Sequence, residues 1–416
     1  MFFIYNIVVI ILAILLLPVI LIAFIIQPKF RAGFKEKIGF YSYNSKGNKT
    51  VVFHAVSVGE VNAIKELVKE YKSKNPDDKI IITTTTATGQ EIAQKSLIQY
   101  ADKITYFPYD FFFSVLSFFN TYKPEKIIIA ETEIWPCFIS LAKLKDIKIY
   151  MVNGRISPKS FNGYRKIKLF IEPILKKYEK IFMQSNDDAQ RLINLGANKN
   201  TTEVMGNLKF DISQNIDKGQ IDNYINELKT SNYRIFIAAS THKGEDEIVL
   251  SVFKKLKEKN EDVKLLLAPR HPQRYCEVTD LISSTGFKFG KRSSNDNFGE
   301  KDIILLDTMG ELSKLFSICY LAFIGGSFSS TGGHNPLEAS IWEKPVISGP
   351  CIFNFKDVYK IEIEKKCAVI VNSEEEFIEE AISFYSDKNK YVEYCKNAKS
   401  VFDENRGAIS YVLQRI

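Results

Sequence analysis

Short runs such as Ile80-Ile81-Ile82 are apolar on both faces of an extended chain, and they alternate with helical stretches along most of the sequence. A strand apolar on both faces must be covered on both, as in a parallel sheet wrapped by helices. Thr50–Ser57, Lys79–Thr84, Lys126–Ala130, Lys148–Val152 and Lys180–Gln184 read as strands of this kind. Between the first two, Glu60–Lys74 places Val61, Ile64, Leu67, Val68 and Tyr71 on one helical face. A turn at Thr88-Gly89 then leads into another helix. Residues 206–233 interrupt the alternation with a polar stretch rich in Asn, Asp and Lys that holds one weak helix around Ile221–Leu228. A second series follows at Arg234–Ala239, Val263–Ala268, Asp302–Leu306, Tyr320–Ile324 and Pro345–Ser348.

The 416 residues suit about two domains. The expectation is a two-domain α/β chain of doubly wound parallel sheets. Residues 27–206 form one domain, 207–233 the region between, and 234–416 the other. Ligands bind at the carboxyl ends of strands in such sheets, so a cleft facing both sets of strand ends is expected. A hydrophobic content of 45% with 25% charged residues excludes a disordered chain. None of the six cysteines is spaced as C-x-x-C or near His at metal-ligand spacing, which implies a reduced compartment and no structural zinc.

Residues 1–26 carry a single strongly polar side chain, Asn6. One helix of that length would reach about 39 Å against a hydrocarbon core of about 30 Å. The positive charge follows the apolar run, so the expectation is an uncleaved anchor helix, kinked at Pro18, with the remaining chain on the cytoplasmic side. A helix embedded in one leaflet is the alternative. From Gln27 to Thr50 there are six basic residues (Lys29, Arg31, Lys35, Lys37, Lys46, Lys49) against one acid, Glu36. Basic charge beside an apolar run points to an anionic lipid surface; a nucleic-acid binder would spread it over a whole face.

Polar residues collect at the expected strand ends. His54, His242, His271 and His334 all lie at such ends or in the loops that open helices. Glu60 stands at a helix N-terminus, where it could accept a proton from a hydroxyl or simply sit well on the helix dipole. Glu131 and Glu133, two apart in extended backbone, would aim the same way, either at a ligand or at Arg155 or Lys209. Gly325-Gly326-Ser327 and Gly332-Gly333-His334-Asn335-Pro336-Leu337-Glu338 form a glycine-rich loop before a helix. Asn335 is a good N-cap, Pro336 a good first helical residue, and Glu338 has capping-box spacing. Its backbone N–H groups would also suit a phosphate. Arg270, after Pro269, offers a fork of donors to a phosphate or carboxylate, or an ion pair. Thr308-Met309-Gly310-Glu311 opens a further helix with free N–H groups. The chain has no D-x-D, so helix N-termini, Arg and Lys would have to carry a donor's phosphate charge without a metal clamp.

The motifs FHAVSVGE, TTTTATGQ, ETEIWP, NGRIS, QSNDDAQRL, GNLKFD, APRHPQR, DTMGEL, FIGGS, GGHNPLE and GPCIFNF, in that order, resemble the 3-deoxy-D-manno-oct-2-ulosonic acid (Kdo) transferases that act on lipid A precursors. The resemblance covers nearly the whole chain. Cys137 stands where that family usually shows Asn, Gly154 where it shows Ala, and Ala87 where Pro is common. The resemblance implies a GT-B glycosyltransferase, inverting, without metal or other cofactor, acting in lipopolysaccharide biosynthesis. CMP-Kdo would be the donor, lipid IVA the acceptor, and the site the cytoplasmic face of the inner membrane, with no nucleic-acid partner. It implies an acceptor-binding N-terminal domain and a nucleotide-sugar-binding C-terminal one. Glu60 would be the general base, and Glu131 and Lys209 would stabilise the transition state. Pro269, Arg270, Met309, Gly310, Glu311, Asn335, Pro336, Leu337 and Glu338 would hold CMP. A GT-B enzyme using a UDP-sugar on a lipid, or a silent membrane-tethered scaffold of the same fold, are the other readings.

Overall fold

The computed structural model describes the chain except residues 1, 28–30, 44–48, 212–217, 261 and 295. It divides into two compact units, Met1–Asp211 with Arg406–Ile416, and Ile212–Asn405.

The first unit is built on seven parallel strands: β1 (Thr50–His54), β2 (Lys79–Thr84), β3 (Lys103–Tyr106), β4 (Lys126–Ala130), β5 (Lys148–Gly154), β6 (Lys180–Met183) and β7 (Thr202–Val204). Their order is β3-β2-β1-β4-β5-β6-β7. The order reverses between β1 and β4, the place where a crevice opens beyond the strand ends of a doubly wound sheet. The central strands are buried on both faces, as Ile80, Ile81 and Ile82 require. Helix Val58–Lys74 covers one face with Val61, Ile64, Leu67 and Val68. The turn expected at Thr88-Gly89 lies instead inside helix Ala87–Leu97, because Thr86 Oγ1 accepts the Gly89 N–H and starts the helix earlier.

The second unit repeats the plan with β8 (Arg234–Thr241), β9 (Val263–Pro269), β10 (Phe289–Lys291), β11 (Ile303–Leu305), β12 (Cys319–Ile324), β13 (Val346–Ser348) and β14 (Ala368–Ile370). These strands are parallel in the order β10-β11-β9-β8-β12-β13-β14. The sequence alone assigns residues 406–416 to the second domain. The structure returns Arg406–Ile416 to the first unit, where Ala408, Ile409 and Val412 enter the core beside Val61 and Ile64. Asp211 fixes this return by accepting the N–H groups of Gly407 and Ile409 at 2.6 and 2.5 Å.

The single helix expected over residues 1–26 is interrupted. Phe2–Leu15 and Leu17–Ile26 are separate helices with Leu16 between them. Pro18 has no N–H to continue the ladder, and its ring crowds the preceding turn. Among the described residues no helix is long and apolar enough to cross a membrane. Of the expected basic patch, Arg31, Lys35 and Lys49 are exposed, whereas Lys37 is buried with its ammonium 4.7 Å over the Tyr106 ring. Lys29 and Lys46 lie outside the described residues.

Candidate functional site

The carboxyl edge of the first sheet gathers three acids. β1 runs into helix Val58–Lys74 through Ala55-Val56-Ser57, and Glu60 lies in the first helical turn. Its carboxylate folds back on the loop, accepting the Val56 N–H at 2.7 Å and the Ser57 hydroxyl at 2.9 Å. Glu60 is 8% exposed. Burial, and then the nearby Glu131, push its carboxyl up to about 7, against the lowering effect of the Val56 and Ser57 hydrogen bonds and of Arg155. A group poised there exchanges a proton near neutrality.

Glu131 follows β4 at φ +57°, a left-handed conformation that costs a non-glycine residue about 1–2 kcal/mol. The same-side pairing expected from extended backbone is therefore not how Glu131 and Glu133 meet; a bend after β4 replaces it. Glu131 Oε2 accepts from Arg155 Nε at 3.1 Å, and Thr132 exchanges hydrogen bonds with the Arg155 backbone. The ion-pair alternative thus holds for Glu131. Burial, then Glu60 and Glu131, raise Glu133 to about 7.

A carboxyl raised in this way favours the folded chain while it is protonated. That contribution is full below about pH 4.5 and is lost as pH rises through about 7. Glu133→Gln is therefore expected to raise the melting temperature at pH 8 and leave it unchanged at pH 4. Parallel melting curves for both proteins across that range test this, and no gain at pH 8 would reject it.

Lys209 sits on the one-turn helix Leu208–Phe210, which Asn207 caps by accepting the Lys209 N–H at 3.0 Å. Asn153, buried at φ +56° in β5, accepts the Leu208 N–H at 3.0 Å. This bond brings the Lys209 turn to the same strand edge as Arg155. His54 departs from expectation. It is fully buried, stacked on Phe107 at 3.9 Å, with Nδ1 3.0 Å from Thr83 Oγ1. Burial lowers its pKa to about 3, so it is a neutral core ring. Cys137 is likewise buried, its thiol 3.4 Å from Asn6 Oδ1.

The second unit assembles a cationic edge. Arg270, just past β9, is exposed, and its guanidinium makes no hydrogen bond among the described residues. Glu338 stands close enough for Arg270 to offset part of the rise that burial gives its carboxyl. The structure therefore brings Pro269-Arg270 together with Asn335–Glu338. His242 Nε2 lies 2.9 Å from His334 Nε2, and the His271 ring is 5.3 Å from that of His242. Burial, then Arg270, hold His334 down to about 4. His242 is also lowered, chiefly by burial. Among the described residues no group of three or more His, Cys, Asp or Glu is arranged to hold a metal ion.

The first turn of the glycine-rich loop already has its N–H groups engaged. Glu245, almost wholly buried, accepts the N–H groups of Gly326, Ser327, Phe328 and His242 at 2.7 to 2.8 Å. Gly325 is obligatory, since a Cβ would lie 2.6 Å from the Ser240 carbonyl oxygen. Asn335 accepts the Leu337 N–H at 3.2 Å, but the helix that follows, Leu337–Ser340, is only four residues long. No capping-box bond from Glu338 forms among the described residues. Beyond β11, Met309 is 74% exposed and Gly310 lies at φ +88°. Glu311 is held by Arg292 at 3.1 Å and Thr308 at 2.8 Å, so its carboxylate is engaged within the unit. The Tyr275 hydroxyl reaches Met309 Sδ at 3.8 Å, which sets this loop beside the helix that follows Arg270.

Sequence reasoning missed Glu245, which looks like any acid in a first helical turn, and the direct His242–His334 contact. The only signal for the latter was that both histidines fall at strand ends.

Residues 32–212 match the family model described as 3-deoxy-D-manno-octulosonic-acid transferase (kdotransferase). A 3-deoxy-D-manno-octulosonic acid transferase of Haemophilus influenzae is 36% identical over 93% of this chain and 91% of its own length. One of Rickettsia felis is 30% identical over 89% of this chain and 80% of its own. Among solved structures, UDP-GlcNAc 2-epimerase from Neisseria meningitidis superposes with a TM-score of 0.56 at 13% identity, covering 88% of this chain and 99% of that one. That likeness is one of fold, the two parallel-sheet α/β domains seen in GT-B glycosyltransferases.

Proposed function

This chain belongs to the 3-deoxy-D-manno-octulosonic-acid transferase family, the Kdo transferases of lipopolysaccharide biosynthesis, and on that premise we propose that it moves Kdo from CMP-Kdo to lipid IVA at the cytoplasmic face of the inner membrane. The observation that carries the reading is the acid cluster at the switch point of the first sheet, with Glu60 poised to take a proton near pH 7.

In this mechanism Glu60 removes the proton of an acceptor hydroxyl. The freed oxygen attacks the anomeric carbon of Kdo from the side opposite the phosphate, the bond to CMP breaks, and the configuration inverts. Glu131, oriented by Arg155, and Lys209 offset charge that develops at the sugar. Arg270 pairs with the phosphate of CMP, while Met309 and Gly310 and the Asn335–Glu338 turn seat the nucleotide. No step uses a metal. Because Gly326, Ser327 and Phe328 already give their N–H groups to Glu245, the phosphate relies on Arg270 and the neighbouring turns.

Mass spectrometry of lipid IVA incubated with the purified protein and CMP-Kdo is expected to show the mass of one or more added Kdo units. No added mass, or addition only with a UDP-sugar, would overturn the reading. Arg270→Ala is expected to weaken CMP binding by roughly tenfold to hundredfold, the worth of a charge-assisted contact. Its melting temperature should scarcely move, because the side chain is exposed. Titration calorimetry with CMP alone tests this.

A further inference from the structure

We propose that the apolar N-terminal segment is a bow, held to the first unit at both feet, that dips into one leaflet of an anionic bilayer and leaves on the side it entered. The proposal rests on the membrane-bound acceptor put forward above and adds how the bilayer is engaged.

The first foot is at Tyr5 and Asn6. The Tyr5 hydroxyl donates to Asp110 at 2.8 Å, and its ring lies 5.7 Å from Phe170. Asn6, buried, accepts the Phe112 N–H at 2.9 Å. Asp110 itself is fixed by the N–H groups of Cys137 and Phe138 at 3.0 and 2.7 Å, at the start of helix Pro136–Leu144.

The second foot is at Phe24 and Ile25. Arg31 donates to both of their carbonyls, to Phe24 at 2.8 Å, and the Phe24 ring packs 4.8 Å from Phe34. Helix Phe34–Lys37 is in turn bound to the same loop as the first foot. The Lys37 carbonyl accepts from Tyr109 N–H at 2.8 Å and Ser114 Oγ at 2.5 Å. Gly33, at φ +65°, lies flat on the Tyr106 ring.

Length then decides the topology. From Asn6 to Phe24 the helical path is about 27 Å, so a segment that departs and returns reaches no more than roughly 13 Å from its feet. That is about one leaflet of a hydrocarbon core about 30 Å thick. The break at Leu16, ahead of Pro18, falls near the middle of the path, where a bow must bend.

What the bow presents is apolar. Ile7, Val8, Ile10, Ile11 and Leu12, and Ile14 to Leu17, are each 40% exposed or more. Beside the feet the apolar surface continues onto Phe113, Leu144 and Leu169, which are 69, 71 and 86% exposed. Exposed apolar surface on this scale marks a site of association. Arg31 and Lys35 stand exposed at the second foot, at the level where lipid phosphates would lie. Apolar surface rimmed by cations fits an anionic leaflet, whereas a second copy of the chain would meet the same positive charge.

The test uses the full chain with a protease-cleavable epitope tag ahead of residue 1. The protein is bound from outside to sealed vesicles of phosphatidylethanolamine and phosphatidylglycerol. A same-side bow leaves the tag outside, so added protease removes it from sealed and detergent-opened vesicles alike. Cleavage only after opening would show a spanning segment and overturn the bow, with the membrane-bound acceptor intact. Failure to bind vesicles, or binding replaced by self-association, would overturn the bow, while addition of Kdo to lipid IVA decides the acceptor separately. Leu12→Lys with Leu16→Lys, two exposed positions remote from the acid cluster, is expected to lower the vesicle-bound fraction at least about tenfold. Unchanged binding in that variant would also reject the proposal.

Discussion

Glu60→Gln should lower kcat by about 10²–10⁴-fold, the usual contribution of a positioned general base, while CMP binding persists. Glutamine keeps the size of the side chain and can still accept the Val56 N–H, and its amide can donate to Ser57 Oγ, so the loop retains its shape. Removing a buried carboxyl raised to about 7 also removes the penalty of ionising it at pH 8, so the melting temperature there should hold or rise. That combination separates chemistry from structure. A purely structural Glu60 would lose stability and activity together. The parent enzyme carries its own check: kcat/KM should climb with pH and level off above about 7, as Glu60 and Glu133 shed their protons. Because Glu60 and Glu133 influence each other, that midpoint belongs to the pair, and Glu133→Gln should move it downwards.

Glu245→Ala is expected to have the largest effect on stability. Four N–H groups now converge on this one carboxylate, and a hydrogen bond to a charged group contributes about 1.5–3 kcal/mol. The bonds are not additive, and a water entering the vacated space would recover part of the loss. A cost on the order of 4 kcal/mol is expected, which in a unit of this size lowers the melting temperature by about 10 °C. The glycine-rich loop that leads to His334 and Asn335 would lose its template, and CMP affinity should fall with it. Calorimetric scans with and without CMP read both quantities. A melting temperature within two or three degrees of the parent would show that the loop holds its shape without the carboxylate.

Glu245 also marks where the sequence was legible and where it was not. The central strands could be read because burial on both faces leaves a dense apolar signature, as in Ile80–Ile82 or Val263–Ala268. The four strands that went unread, β3, β7, β10 and β14, are the outer strands of the two sheets. Each has three or four residues with a polar or half-exposed end, and so little periodicity to detect. At the site, residue type and position at a strand end placed Glu60, Glu131 and Arg270 correctly on the edge. Local backbone was not legible. The left-handed turn at Glu131 is imposed by its bonds to Val152 and Arg155, made between β4 and β5, and nothing in Glu131-Thr132-Glu133 announces it. Long-range satisfaction was equally hidden, since three of the four partners of Glu245 lie some eighty residues away. His54 shows the opposite failure: a polar side chain at a strand end was turned inward onto Phe107.

The return of Arg406–Ile416 to the first unit sets a timetable for biosynthesis. While only the first half has left the ribosome, the groove on helix Val58–Lys74 has no Ala408, Ile409 or Val412 to fill it, and Asp211 has no amides to bind. The nascent half that carries Glu60 must wait, its apolar groove bare, until translation has delivered everything in between. A frameshift near codon 406 would therefore damage the half made first and spare the half made last.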